Sequence, residues 1–156
     1  MTKRTSGVAP ELTVAIAAYN ERTTIMQVLE RVIAVPVTKQ IIVVDNCSTD
    51  GTRELLADVD DSVEVIFQPR NLGKGTSIRT AITQARGEYF IIQDADLEYE
   101  PEEYPRLLSY AREHDLDALY GSRVMEGRNT NYVGYYVGVQ ALTWMTNLLY
   151  GARLTD

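Results

Sequence analysis

The run Ile41-Ile42-Val43-Val44 constrains this chain more than any other stretch. Four β-branched residues in succession favour extended backbone. A half-buried strand alternates apolar and polar residues, and this run does not. The strand from Gln40 to Val44 is therefore expected to be buried on both faces, as in parallel sheets covered by helices on each side.

The rest of the sequence supplies partners for it. Leu12 to Ala17 and Val63 to Phe67 read as strands, Tyr89 to Ile92 as a fourth and Ala118 to Tyr120 as a short fifth. Ile25, Val28, Leu29, Val32 and Ile33 fall on one helical face, opened by a capping-box pattern at Thr24 and Gln27 and closed by Pro36. A polar loop from Asn46 to Gly51 leads to a helix through Leu55 and Leu56. Ile78, Ala81, Ile82 and Ala85 mark a third helix ended by Gly87, and Tyr104, Leu107, Leu108 and Ala111 a fourth. Strand and helix alternate throughout, which predicts right-handed crossovers and one Rossmann-like α/β domain with a mostly parallel central sheet and helices on both faces. With 156 residues, 45% of them hydrophobic, the chain can bury a core of that size.

The formal charge of −7 argues against a nucleic-acid binder, which needs a basic footprint. Cys47 is the single cysteine, so an internal disulfide is excluded and a reducing, cytoplasmic setting fits. Residues 1–11 lack the apolar core of a signal peptide and are expected to form a disordered tail. The strand from Tyr89 to Ile92 ends in two carboxylates one residue apart, Asp94 and Asp96. Open α/β sheets bind ligands at the C-terminal ends of their strands. Mg²⁺ and Mn²⁺ favour oxygen ligands and share one or two carboxylates with substrate phosphates. A metal-bound phosphate ester or diphosphate is the expected occupant, with an acidic surface turn as the plain alternative.

Three strand ends point into one crevice: Ala17-Ala18-Tyr19-Asn20-Glu21, Asp45-Asn46-Cys47-Ser48-Thr49-Asp50-Gly51-Thr52 and Gln93-Asp94-Ala95-Asp96-Leu97-Glu98. Together with Asn71-Leu72-Gly73-Lys74-Gly75 and Gly121-Ser122-Arg123, they resemble the glycosyltransferase family 2 pattern, whose nucleotide-binding fold is called GT-A. The resemblance runs from about Leu12 to Asp156 and is nearest to dolichyl-phosphate and polyprenyl-phosphate sugar transferases. It implies a nucleotide-sugar-binding domain over residues 12–128, followed at 129–156 by the start of an acceptor region. The chain stops at Asp156 without a terminating signal, so it is expected to continue beyond that point.

The resemblance also implies roles. Asp96 and Glu98 align with the metal-binding run, and Asp94 serves the ribose or the metal. Ala17, Tyr19 and Glu21 match the nucleoside-binding segment, although Ala17 stands where a proline is frequent. Tyr19 also suits a half-buried strand end, and Glu21 suits the first turn of a helix. Asp45 would accept hydrogen bonds from base or ribose, or else cap a polar turn. Asn46 and Cys47 replace the usual Asp-Gly, which leaves base preference open. Lys74, between two glycines at a helix start, suits a phosphate contact or a flexible exposed turn. The loop is no Walker A motif, because Gln68 stands at its first glycine position. Arg123 would clamp a phosphate bidentately or sit on the surface. His114, the lone histidine, reads as a solvated surface residue.

No charge occurs from Asn129 to Ala152. Val137, Ala141, Trp144 and Leu148 fall on one helical face and Tyr136, Gln140, Thr143 and Asn147 on another. An amphipathic helix on a membrane surface is expected there, with core packing as the alternative. The resulting expectation is a metal-dependent inverting transfer of sugar from a UDP-, GDP- or dTDP-sugar to a polyprenyl phosphate, with Mg²⁺ or Mn²⁺, at the cytoplasmic face of a membrane. A homo-oligomer is left open. The rivals are a family 2 enzyme acting on a sugar hydroxyl, a non-catalytic nucleotide-sugar-binding module, and a sugar-phosphate nucleotidyltransferase. The last would want a glycine-rich loop after the first strand.

Overall fold

The computed structural model describes residues 9–121, 133–151 and 154. The chain divides into two compact units, one running to His114 and the other from Asp115. In the first unit, strands β1 (Leu12–Ala18), β2 (Lys39–Asp45), β3 (Val63–Phe67) and β4 (Tyr89–Asp94) form one sheet in the order β3-β2-β1-β4. Every neighbouring pair is parallel. Helices α1 (Ile25–Ala34), α2 (Thr52–Ala57), α3 (Lys74–Gln84) and α4 (Tyr104–Glu113) alternate with the strands.

The two-residue period of the strands sorts the core into two faces. Val14 and Ile16 of β1 and Ile41 and Val43 of β2 pack with Ile25, Val28, Leu29 and Val32 of α1, Leu56 of α2 and Leu108 of α4. The alternate residues Ala15, Ile42 and Val44 project the other way, onto Ala81 and Ile78 of α3. Ile42 and Val43 are both fully buried, as the unbroken β-branched run requires. Each such side chain contributes about 1.5–3 kcal/mol.

The entry end of the sheet is closed by polar groups. Gln40 Oε1 accepts from Thr13 Oγ1 at 3.0 Å and from the Arg86 amide at 2.9 Å, while Nε2 donates to Glu64 and to the Gln84 carbonyl. Thr13 Oγ1 accepts from the Gly87 amide at 2.9 Å, and Arg86 pairs with Glu64. Gly87 runs so close to β1 that a Cβ there would lie 2.4 Å from the Thr13 nitrogen.

Several details depart from expectation. β2 and β4 run past their apolar stretches, so that Asp45 pairs with Ala18 and Asp94 with Ala17. Backbone pairing continues because the side chains there leave the hydrophobic core. The capping box at Thr24 does not form; its hydroxyl turns back to Glu21, whose carbonyl already takes the Thr24 and Ile25 amides. Pro10 and Glu11 are tied by backbone hydrogen bonds to Glu88 and Thr38, so the fold begins ahead of Leu12. The rest of the expected tail, residues 1–8, lies outside the described residues. Ala118 to Tyr120 is not a strand. Extended propensity makes no strand without a partner backbone, and among the described residues β4 pairs only with β1.

In the second unit, α5 (Val133–Tyr150) is followed by Gly151 in the left-handed region at φ 62°. The Asn147 side chain bonds both the amide and the carbonyl of Leu154 at 2.8 Å. Trp144 and Leu148 are 66% and 67% exposed. Among the described residues, no helix is long and apolar enough to cross a membrane.

Candidate functional site

Strand β1 has β2 on one side and β4 on the other, so the chain reverses its direction of travel across the sheet at β1. Loops leaving two strands on opposite sides of such a point open a crevice at their C-terminal ends. The crevice here holds about 310 Å³. Ala17, Ala18, Tyr19 and Glu21 line it from β1, Asn46 from β2, and Asp94, Ala95 and Asp96 from β4. Asn71, Gly73, Lys74 and Ser77 complete it from the start of α3. Seven expected residues thus come together: Ala17, Tyr19, Glu21, Asn46, Lys74, Asp94 and Asp96. Arg123 lies outside the described residues.

The loops after β1 and β2 are stitched together. Asn20, at φ 59°, donates its amide to Ser48 Oγ and accepts the Thr49 amide on its side chain. The Glu21 amide donates to Thr52 Oγ1 at 2.9 Å and the Arg22 amide to Asp50. The Thr52 hydroxyl, aided by the Thr52 and Arg22 amides, holds the Asp50 carboxyl below its ordinary value. Tyr19 stands at the rim, 46% exposed.

Asp45 takes the turn-capping place that was the alternative to a base or ribose contact. Its side chain is fully buried, accepts the Ser48 amide at 3.2 Å and lies 3.4 Å from Arg53 Nη1. Arg53 in turn covers the Phe67 ring at 4.9 Å. Asp45 does not line the crevice; the next residue, Asn46, does. Asn46 Nδ2 donates to Asn71 Oδ1 and Asn46 Oδ1 accepts the Leu72 amide, both at 2.8 Å. Asn71 also accepts the Gly73 amide, so this pair of amides pins the loop that starts α3. Asn71 belongs to the loop motif read from the sequence, without a role assigned to it, and Ser77 was not singled out. Ser77 follows Lys74 by three residues, the spacing that returns a helix to the same face. Cys47 takes φ 65°, a conformation that suits glycine at that position.

At the other wall, Lys74 Nζ stands 2.6 Å from Asp94 Oδ1. Asp96 Oδ1 accepts the Glu98 amide at 3.1 Å. Beneath them Gln93 is buried, its Nε2 donating to the Asp94 carbonyl and its Oε1 accepting from the Tyr104 hydroxyl at 2.6 Å. Burial pushes the Tyr104 phenol up, so it stays a neutral donor. Asp94 and Asp96 offer the hard oxygens that Mg²⁺ or Mn²⁺ takes, and such ions keep water and substrate phosphates as their other ligands. These residues fit a divalent ion. Glu98 is exposed and does not line the crevice, and among the described residues no three acidic, histidine or cysteine side chains gather as a metal cage. His114 is exposed and stacks on Tyr110 with ring centroids 4.1 Å apart.

Residues 13–149 match the pattern of the family described as Glycosyl transferase family 2. The chain belongs to this family. It is 35% identical over 158 residues to the low-salt glycan biosynthesis hexosyltransferase Agl6 of Haloferax volcanii, covering 97% of this chain and 37% of that one. It is also 35% identical over 111 residues to the undecaprenyl-phosphate 4-deoxy-4-formamido-L-arabinose transferase of Proteus mirabilis, covering 66% and 34% of the two. The chain therefore spans little more than a third of the length of these relatives. The mannosyltransferase PcManGT of Pyrobaculum calidifontis, solved with GDP-Man and Mn²⁺, superposes with a TM-score of 0.55 at 27% identity, over 62% of this chain and 30% of that one. This family 2 chain thus has the GT-A fold, its crevice at the switch point of a parallel sheet.

Proposed function

We propose that this domain holds the donor of a metal-dependent inverting hexosyltransferase, which moves sugar from a nucleotide sugar to a polyprenyl phosphate. One observation carries the reading: Asp94, Asp96, Lys74 and the N-terminus of α3 line one crevice at the switch point. Asp94 and Asp96 would hold the divalent ion, which when bound offsets charge on the departing nucleoside diphosphate. Lys74 and the positive end of α3 face the same phosphates. The Tyr19 ring and the Asn46 amide border the nucleoside end, and Asp45 supports them from beneath through Ser48 and Arg53. A phosphate acceptor is already anionic and attacks the anomeric carbon without a general base. Arg123 is assigned to the acceptor phosphate.

The acceptor class is supported by the undecaprenyl-phosphate transferase among the relatives and by the exposed Trp144 and Leu148 on uncharged α5. That helix would bring the donor site to the cytoplasmic face of a membrane. A second reading, transfer to a sugar hydroxyl in polysaccharide synthesis, is favoured by 36% identity over 104 residues to the succinoglycan biosynthesis protein ExoO of Rhizobium meliloti. Thermal-shift assays with UDP-, GDP- and dTDP-sugars, with and without Mn²⁺, test the donor reading. Stabilisation by one nucleotide class, dependent on Mn²⁺, is expected; no response to any of them refutes it. Liposome sedimentation tests the acceptor reading. Wild-type protein should sediment with liposomes, and Trp144→Ser with Leu148→Ser should release it while donor binding persists. A wild type that ignores vesicles and glycosylates a soluble sugar establishes the second reading instead.

A further inference from the structure

Lys74 and Asp94 come from different elements, the first residue of α3 and the last of β4. Lys74 has a 60% exposed side chain and reaches inward to a carboxylate that is 23% exposed, closing to 2.6 Å. The other charged side chains lining the crevice are Glu21 and Asp96, so one ammonium faces three carboxylates. The site therefore carries its own cation, placed on an oxygen that a divalent ion would use.

We propose that Lys74 is an internal counter-cation of the donor site. It occupies Asp94 until a nucleoside diphosphate arrives with a divalent ion, so that neither ligand binds well alone. The inference rests on the donor reading above and adds the order in which the site fills. A divalent ion entering alone must displace an ammonium from Asp94 and then sit beside it, which like charges oppose. A diphosphate entering alone meets a crevice with a net charge of about two negative units and a lysine already paired. When both enter, the phosphates offer Lys74 a new partner and Asp94 becomes available to the ion. The exchange conserves charge pairing at each stage. The amide pair Asn46–Asn71 keeps the base of α3 fixed, so only the flexible lysine stem has to move.

The test measures Mn²⁺ binding by electron paramagnetic resonance and UDP, GDP and dTDP binding by calorimetry, each alone and together. Wild type, Lys74→Met and Lys74→Arg are compared, with circular dichroism as a check on folding. In wild type, a saturating nucleoside diphosphate should tighten Mn²⁺ binding at least about tenfold. Lys74→Met should bind Mn²⁺ alone about tenfold more tightly than wild type. Its metal-free affinity for the nucleotide should fall, and Lys74→Arg should behave as wild type. If Lys74→Met binds Mn²⁺ alone as weakly as wild type, while both still form the ternary complex, the counter-cation role is wrong and the donor reading stands. If wild type shows no metal-dependent nucleotide binding at all, both fall together.

Discussion

At the entry end of the sheet, Thr13, Gln40, Glu64, Arg86 and the Gly87 amide close on one another. At the exit end, Glu21, Lys74, Asp94 and Asp96 open onto a crevice with one ion pair among them. Both clusters hang on the same strands, β1 and its neighbours, and both are made of ordinary polar side chains. The first spends its hydrogen-bonding capacity on the fold, on one another's side chains and on backbone groups of the α3–β4 turn. The second makes fewer such bonds, from the Thr24 hydroxyl to Glu21, the Glu98 amide to Asp96 and Lys74 to Asp94, and its carboxylates still line the crevice. Access to the crevice, more than the presence of an internal partner, is what separates ligand-binding from structural polarity in this molecule.

The sharpest way to break the comparison is Asp96→Asn. Its side chain faces the crevice from a strand-end loop, so metal-dependent nucleotide affinity should fall about a hundredfold, with the melting temperature nearly unchanged. Calorimetry with Mn²⁺ reads the first and thermal denaturation the second; equal affinity in both proteins removes Asp96 from the site. At the opposite end the effects should invert. Gly87→Ala forces a Cβ against the β1 backbone and should cost about 2–3 kcal/mol of stability. Any protein that still folds should bind nucleotide as wild type does. Gln40→Leu removes the acceptor of the Thr13 hydroxyl and the shorter of two bonds from the Arg86 amide, and should cost about 1–3 kcal/mol, again without changing nucleotide affinity. A change in affinity larger than the change in stability would show that the two ends are coupled.

The smallest effect is acid-dependent and belongs to the exit end. Asp50 has its folded-state value below the ordinary carboxylate value, mainly through the Thr52 hydroxyl. Its stabilisation is therefore present above the unfolded value and lost as the pH falls through the folded one. Asp50→Ala should cost a few tenths of a kcal/mol at neutral pH, given solvent screening. It should also flatten the acid limb of a stability-versus-pH curve below about pH 4. Identical acid limbs would remove Asp50 from the account.

Much of the site was legible because it follows from where an apolar run stops. Asp94 and Asp96 had to emerge at a strand end once Tyr89 to Ile92 was a buried strand, and Asn46 had to follow Val44 out of the sheet. Partners set by tertiary contact were hidden. Asp45 is sealed by Arg53, eight residues on, and Arg53 owes its direction to the Phe67 ring. Asn71 meets Asn46 across 25 residues, through two loops with no periodicity to read. Tyr104 belongs to the α4 face by spacing, and nothing in that spacing says its hydroxyl bonds Gln93. Extended propensity at Ala118 to Tyr120 misled for the same reason, since a strand is a property of two backbones.

The strand order has a kinetic consequence. The β1–β2 pairing joins Leu12 to Lys39, whereas β1–β4 joins Leu12 to Tyr89 and encloses both β2 and β3. Closing the longer loop costs more chain entropy. The β1–β2–β3 half is expected to assemble first, with β4 docking onto the exposed edge of β1 afterwards. The crevice has no second wall until that step. Nucleotide added during refolding should therefore leave the early phase untouched and act only after β4 has docked, by slowing its release. Stopped-flow refolding with and without nucleotide and Mn²⁺ checks this, and an accelerated first phase would reverse the order. A freshly made chain would on this account be able to gain its ligand only once β4 is in place.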